Sequence, residues 1–259
     1  MFEGLFRYAF LILIVVVGGY LAIGFIVDRA VPYIPPSMEM KIFGSAGMAP
    51  EAAGPAANAN DPNAGRLKGI LAKLTANPEV LPLEYTLFTI DDKSPNAVAM
   101  PGGGIGVTTG LTSALGEEIG LAFVLGHELG HFKQRDHLRG VGRIVGIRII
   151  LGLVFGDSDI LNFLTARATD LLHKKYSRGQ EEGADRFGLK LVYDTYGDVN
   201  GTTRLFEILS KNDSSPKWAY MLSTHPAPES RVRKMKEYAV ELKAERKQLP
   251  AGDKTRSDW

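Results

Sequence analysis

The sequence predicts an α+β protein, mainly α, carried behind a single N-terminal transmembrane helix. Three observations lead there. Residues 8–27 form an uncharged run; β-branched and aromatic residues cluster between 83 and 108; and helical apolar spacing extends from Glu117 almost to the end of the chain.

The uncharged run is YAFLILIVVVGGYLAIGFIV, preceded by Arg7 and closed by Asp28 and Arg29. At 1.5 Å rise per residue it is about 30 Å long, the thickness of a bilayer's hydrocarbon core. A cleavable signal peptide has a shorter apolar stretch, about 7–15 residues, ending in a small-x-small site. Phe25-Ile26-Val27-Asp28 offers no such site, so the run is expected to stay in place and to contact lipid. The short flank 1–7 is expected inside, which puts the bulk of the chain on the extracytoplasmic, periplasmic side; the basic residues on the two flanks are nearly balanced.

Residues 28–65 are expected to be a juxtamembrane segment and flexible linker. From 44 to 65 they consist largely of Ala, Gly, Pro and Asn, too poor in large apolar groups to offset the entropy of ordering. The folded domain is expected over 66–247, followed by a polar tail at 248–259. Within the domain, Leu67 to Ala76 has a helical stripe and residues 83–90 read as a strand. Strand-like runs flank Pro101-Gly102-Gly103-Gly104, which predicts a hairpin rather than a phosphate loop, since no helix follows the glycines at once. Helices are expected at 117–137, 141–155, 159–175, 177–196, 200–211 and 227–247. The segment 141–155 is apolar but short and carries Arg143 and Arg148, so it is expected to be a core or membrane-surface helix.

Composition narrows the chemistry. Thirty basic and 29 acidic residues leave a net charge of +1, which gives no electrostatic footprint for nucleic acid. The chain has no cysteine, which removes disulfides, thiolate metal sites, a cysteine nucleophile and a lipidated cysteine.

The strongest motif is His127-Glu128-Leu129-Gly130-His131. On a helix, side chains four apart share a face, so both imidazoles can hold one metal with Glu128 beside them as general base. The surrounding residues 119–125 are apolar, and polar groups on an internal helix need partners or a metal. A catalytic zinc usually takes a third protein ligand. His137 has metzincin spacing but lacks the bending glycine, Gln134 standing in its place; it is expected at the surface. Residues 147–155, where a near downstream glutamate would fall, hold no carboxylate. Glu181 is preferred, with Asp185 four residues on to accept from a ligating imidazole.

With those residues in view, the chain resembles the CAAX prenyl protease and HtpX-type membrane-associated zinc endopeptidases. HELGH is followed by Ser177, Arg178, Glu181, Ala184 and Asp185, matching the family's S-R-x-x-E-x-x-A-D stretch. NAVAMPGGGIGVTTGL upstream and Thr224-His225-Pro226 with Arg231 downstream are similar to two further family elements. The resemblance covers about residues 83–235. It implies a zincin-like helical domain with a small β-sheet beside the active-site helix, and one Zn²⁺ per chain. It also implies that Asn96, Ala97, Val98, Ala99 and Met100 form an edge strand that pairs with extended substrate. His225 would donate to the oxyanion or, as in some members, bind and block the metal, and Arg231 would support its loop. Protein or peptide substrates follow, in envelope protein quality control. A tethered chaperone or adaptor that keeps the fold but rarely cuts is the competing expectation.

Overall fold

The computed structural model describes residues 2–44, 61–155, 176–211, 225 and 229–248. The expected helix 159–175, most of the 44–65 linker and the tail from 249 lie outside the described residues.

Helix α1 spans Phe2–Ala30 and contains the whole uncharged run. Its large apolar side chains Phe10, Leu21, Phe25 and Ile26 are exposed. Among the described residues no single helix is long and apolar enough to cross a membrane; Val17–Tyr33 passes only together with Pro36–Phe43, at a bend of 110°. The bend falls at Pro35-Pro36, where the first proline is extended and the second opens the short helix α2, Pro36–Glu39. A single turn of 3-10 helix, Val31–Tyr33, precedes α2, and a π-turn, Met40–Gly44, follows it.

Helix α3 (Ala64–Thr75) buries Leu67, Ile70, Leu71 and Leu74, the stripe its spacing specifies. Strands β1 (Thr86–Ile90), β2 (Ala97–Met100) and β3 (Gly104–Thr108) form one sheet in the order β1-β3-β2. β2 and β3 are the expected antiparallel hairpin, with Ala97 opposite Val107; Gly102 and Gly103 supply the positive φ its turn requires. β1 runs parallel to β3, which the local pattern did not specify. Alternation sends Ala97 and Ala99 to the main core and Val98 and Met100 to a smaller cluster with Phe88.

After β3 the chain enters α4 (Thr109–Leu115), capped by the Thr108 hydroxyl, and then α5 (Glu118–Lys133). α5 is buried from Gly120 through Phe132 and forms the axis of the domain. It does not run on to residue 137 as the sequence suggested. Arg135 takes φ 60° and ends it, and α6 (Asp136–Phe155) starts immediately afterwards. A left-handed arginine costs about 1–2 kcal/mol, so this break is held by its contacts rather than by local preference. Gly142 and Gly146 of α6 face Val27 and Ile23 of α1, so the two helices pack antiparallel. Arg143 pairs with Asp28 at 2.8 Å where they meet.

Helix α7 (Arg178–Tyr196) begins with a capping box made by Ser177 and Gln180. α8 (Arg204–Lys211) and α9 (Glu229–Gln248) complete the described domain. α5 and α7 approach to backbone contact: a Cβ on Gly130 would lie 2.7 Å from Ala184 Cα, and one on Gly188 would lie 2.8 Å from the His127 amide nitrogen. Side chains on the facing positions would hold these helices apart, and with them the two halves of the site.

Candidate metal centre

His127 and His131 project from one face of α5, and the close α5–α7 contact sets Glu181 opposite them. His225 joins them, so that one ligand atom from each of the four lies within 4.8 Å of the other three. His131 and Glu181 are 0% and 1% exposed, His127 and His225 6% each. Glu181 Oε2 is 3.6 Å from His127 Nε2, and its Oε1 is 3.7 Å from His131 Nε2 and 2.9 Å from His225 Nδ1.

The imidazoles are fixed from behind. His127 Nδ1 lies 3.0 Å from Asp185 Oδ1, and His131 Nδ1 lies 3.0 Å from Asp136 Oδ2. With both Nδ1–H groups donating to carboxylates, both Nε2 atoms present lone pairs, and these face each other at 3.1 Å. Two acceptors at that distance repel unless a cation stands between them. Charge points the same way. Among the described residues, the buried carboxylates Glu128, Asp136, Glu181 and Asp185 face two guanidinium groups, Arg231 and Arg139. The carboxylates outnumber the guanidinium groups, which favours a cation at the cluster. Imidazole and carboxylate without thiolate suit zinc, so the donor set fits the ion that the motif implies.

Electrostatics keeps His131 and Glu181 in ligand form. Burial pushes the His131 imidazole down in pKa, outweighing its bond to Asp136, and favours the neutral ring. Burial alone would raise Glu181, but His225, His127 and Arg231 hold its carboxyl far below the ordinary carboxylate range. Against the same effect of burial, His127 and Arg231 keep Asp185 low, and His131, Gln180 and Arg139 keep Asp136 low. His225 is raised by Glu181 and Glu128 although burial opposes it.

Glu128 is 2% exposed; its Oε1 lies 3.8 Å from His225 Nε2, and its Oε2 has no hydrogen-bond partner. Such a buried, unpaired oxygen is costly and calls for a partner. A narrow, mostly apolar cavity adjoins it, walled by Phe123, Val124, Leu205 and Phe206. Arg231 stands behind Asp185 and Glu181, bonding Asp185 through Nε and Nη2 at 2.8 Å and Glu181 through Nη1 at 2.5 Å. Two carboxylates of α7 are thus among its partners.

β2 lies against α5. Asn96 and Ala97–Met100 are buried, and β2 forms one edge of the sheet. Thr108 accepts from the Asn96 amide through its hydroxyl at 2.8 Å, while Asn96 Oδ1 has no partner. His137 is not part of the cluster, and it is not at the surface as expected. It is 4% exposed, with Nε2 2.8 Å from Glu39. The α5 break is the reason, because it turns His137 inward beneath Phe132.

Two contributors escaped the sequence reading. Asp136 lies five residues after His131, a spacing that no continuous helix brings onto one face, so only the break at Arg135 makes the contact possible. Tyr176 stacks on the His131 ring, centroids 3.9 Å apart and planes 17° from parallel. Its position just before the Ser177 cap was the available signal, because the residue entering a capped helix is steered toward whatever that helix packs against.

Paired imidazoles on one helix, a glutamate beside them and a carboxylate brought by a second helix together define a centre of the metallopeptidase kind. The chain belongs to Peptidase family M48, whose model matches residues 62–239. It is similar to "Mitochondrial metalloendopeptidase OMA1" of Schizosaccharomyces pombe, 29% identical over 68% of this chain and 53% of the relative. It is also similar to "Putative beta-barrel assembly-enhancing protease" of Vibrio cholerae, 28% identical over 64% and 37%. "Metalloprotease YcaL" of Escherichia coli is 27% identical over 66% of this chain and 68% of its own length. The chain spans between about a third and a half of the first two relatives.

Proposed function

We propose that this chain is a membrane-anchored zinc metalloendopeptidase that hydrolyses peptide bonds of protein substrates in envelope protein quality control. The observation that carries this reading is the pair of facing Nε2 lone pairs, 3.1 Å apart, with Glu181 and His225 closing the same cluster. Membership of a peptidase family and relatives named metalloendopeptidases support it. The order of motifs favours the CAAX prenyl protease and HtpX-type branch.

His127, His131 and Glu181 would hold zinc. Bound there, the ion would supply Lewis acidity toward the scissile carbonyl and bring the pKa of a coordinated water toward about 7. Glu128 takes the proton of the attacking water on its unpartnered Oε2 and returns it to the leaving amine. Asp185 and Asp136 keep the two imidazoles in one tautomer and orientation. Arg231 anchors Asp185 and Glu181, so the carboxylates do not follow the proton. His225 acts at the developing oxyanion when turned from Glu181; in the conformation described, it closes the donor set. The edge of β2, from Asn96 to Met100, would receive the substrate backbone by strand addition.

For the anchor, the exposed apolar faces of α1 match lipid, and residues 8–27 are its membrane-embedded part. A single pass with the domain on the extracytoplasmic side is part of the same proposal.

The test is Glu128→Gln. Zinc stoichiometry should stay at one per chain, while cleavage of casein and of the chain itself should stop. Undiminished cleavage would end the proposal. Rescue of cells by Glu128→Gln would favour the tethered adaptor instead.

A further inference from the structure

Outside the metal cluster, a fully buried charged group stands in the short segment after α1. Glu39 is 0% exposed. Its Oε2 accepts from Arg135 Nη1 at 2.6 Å, and its Oε1 accepts from His137 Nε2 at 2.8 Å and from the Gly102 amide at 2.9 Å. Arg135 reaches back with Nη2 to the Ile34 carbonyl at 2.6 Å, which closes a ring between this segment and the α5–α6 junction. These are charge-assisted bonds in a water-excluded place, the strongest kind of side-chain tether.

What they tether is decisive for the site. Arg135 and His137 are the two neighbours of Asp136, whose Oδ2 orients His131 and whose Oδ1 accepts from Gln180 at 2.7 Å. Arg135 adopts its left-handed backbone to turn the chain there. Remove the carboxylate at 39, and nothing else named in this ring holds both flanks of Asp136 in that turn. Its third bond holds Gly102, at the tip of the hairpin whose first strand lies against α5.

We propose that Glu39 is a positioning residue of the metal centre: by clamping Arg135 and His137 it fixes Asp136 behind His131, so docking of the segment that follows α1 completes the site. The inference rests on the zinc reading above. It makes the membrane-proximal segment a working part of the centre: a catalytic fragment lacking residues 31–43 folds around a loosened His131.

The experiment uses the full chain in detergent and measures zinc affinity by competition with a chromogenic chelator. Glu39→Gln should weaken zinc binding about tenfold, the usual effect of losing an outer partner of a ligating histidine. Glu182→Gln, at a partly exposed carboxylate on α7 that pairs with Lys234, should leave it unchanged. Asp136→Asn should also weaken it, and Glu39→Gln combined with Asp136→Asn should bind no more weakly than Asp136→Asn alone, because the two act in series. A merely structural Glu39 would instead give losses that multiply, and unchanged affinity in Glu39→Gln would overturn the proposal outright. If Glu39→Gln does not fold, His137→Phe keeps the ring volume and removes one clamp; it should loosen zinc several-fold, and wild-type affinity there overturns the proposal equally. A wild-type chain that binds no zinc defeats the metal assignment itself, whereas tight wild-type binding left intact by these variants defeats only the role of Glu39.

Discussion

The guanidinium of Arg231 grips the carboxylate of Asp185 through two parallel bonds of 2.8 Å, from Nε and Nη2, in a place only a few per cent exposed. Arg231 sits on α9 and Asp185 on α7, so this pair fastens the end of the domain to the helix that carries Glu181.

Breaking a buried pair from one side strands the other charge, at a cost of about 3–5 kcal/mol. Arg231→Leu is therefore expected to lower the melting temperature by several degrees or more, and Arg231→Lys to restore little of it, because lysine cannot make the two-pronged contact. Thermal unfolding of the three proteins decides the matter; a leucine variant as stable as wild type contradicts it.

Gly130→Ala probes the α5–α7 contact. The added methyl would stand 2.7 Å from Ala184 Cα, where the obstacle is backbone and does not yield cheaply. A destabilisation of about 1–3 kcal/mol in urea unfolding is expected, with weaker zinc binding as Glu181 retreats. Gly179→Ala, which meets nothing within 4 Å, is the matched control and should be neutral or slightly stabilising.

Acid should dismantle the metal-free protein in a defined window. Asp136 and Asp185 are lowered from 3.8, and Glu39 from 4.5. A carboxylate with a depressed folded-state pKa stabilises the native state above its unfolded pKa and loses that contribution as pH falls through its folded value. His131, lowered from 6.5, adds a loss of the same sign starting below 6.5, whereas His225, raised from 6.5, contributes in the opposite direction as pH rises. Stability should begin to decline below pH 6.5, with His131, and fall steeply below about pH 4.5 as the carboxylates follow. Urea titrations at pH 7, 5, 4 and 3 check this, and a flat profile down to pH 3 would refute it.

Chelation should expose the repulsion between His127 and His131. Since an ion bound to the native state alone stabilises by RT ln(1 + [L]/Kd), free zinc at 100 times Kd adds about 2.7 kcal/mol. The melting temperature should drop on chelation and climb with added zinc in the wild type. In His127→Phe it should no longer respond.

How much of this could be read in the sequence follows the physics of range. HELGH placed both imidazoles on one face because helical periodicity is local, and the α3 stripe and the β2–β3 hairpin were readable for the same reason. The convergence of Glu181 on those imidazoles is less legible, because the glycine and alanine contacts that make it geometrically possible are properties of two helices together. The parallel pairing of β1 with β3 was not readable, because nothing in either strand encodes its neighbour. His137 was misplaced at the surface because Arg135, a residue with no preference for a left-handed backbone, ends α5 through bonds to Glu39 and Ile34, about a hundred positions away. A one-dimensional pattern has no term for such a tether.

The four donors come from three separate stretches of chain, with His225 98 positions beyond His127 and 44 beyond Glu181. During synthesis, the ribosome releases the two α5 histidines well before either remaining donor exists. An unfinished chain thus holds only the two α5 imidazoles, and the four-residue cluster cannot form until α7 has docked and the chain through residue 225 is in place.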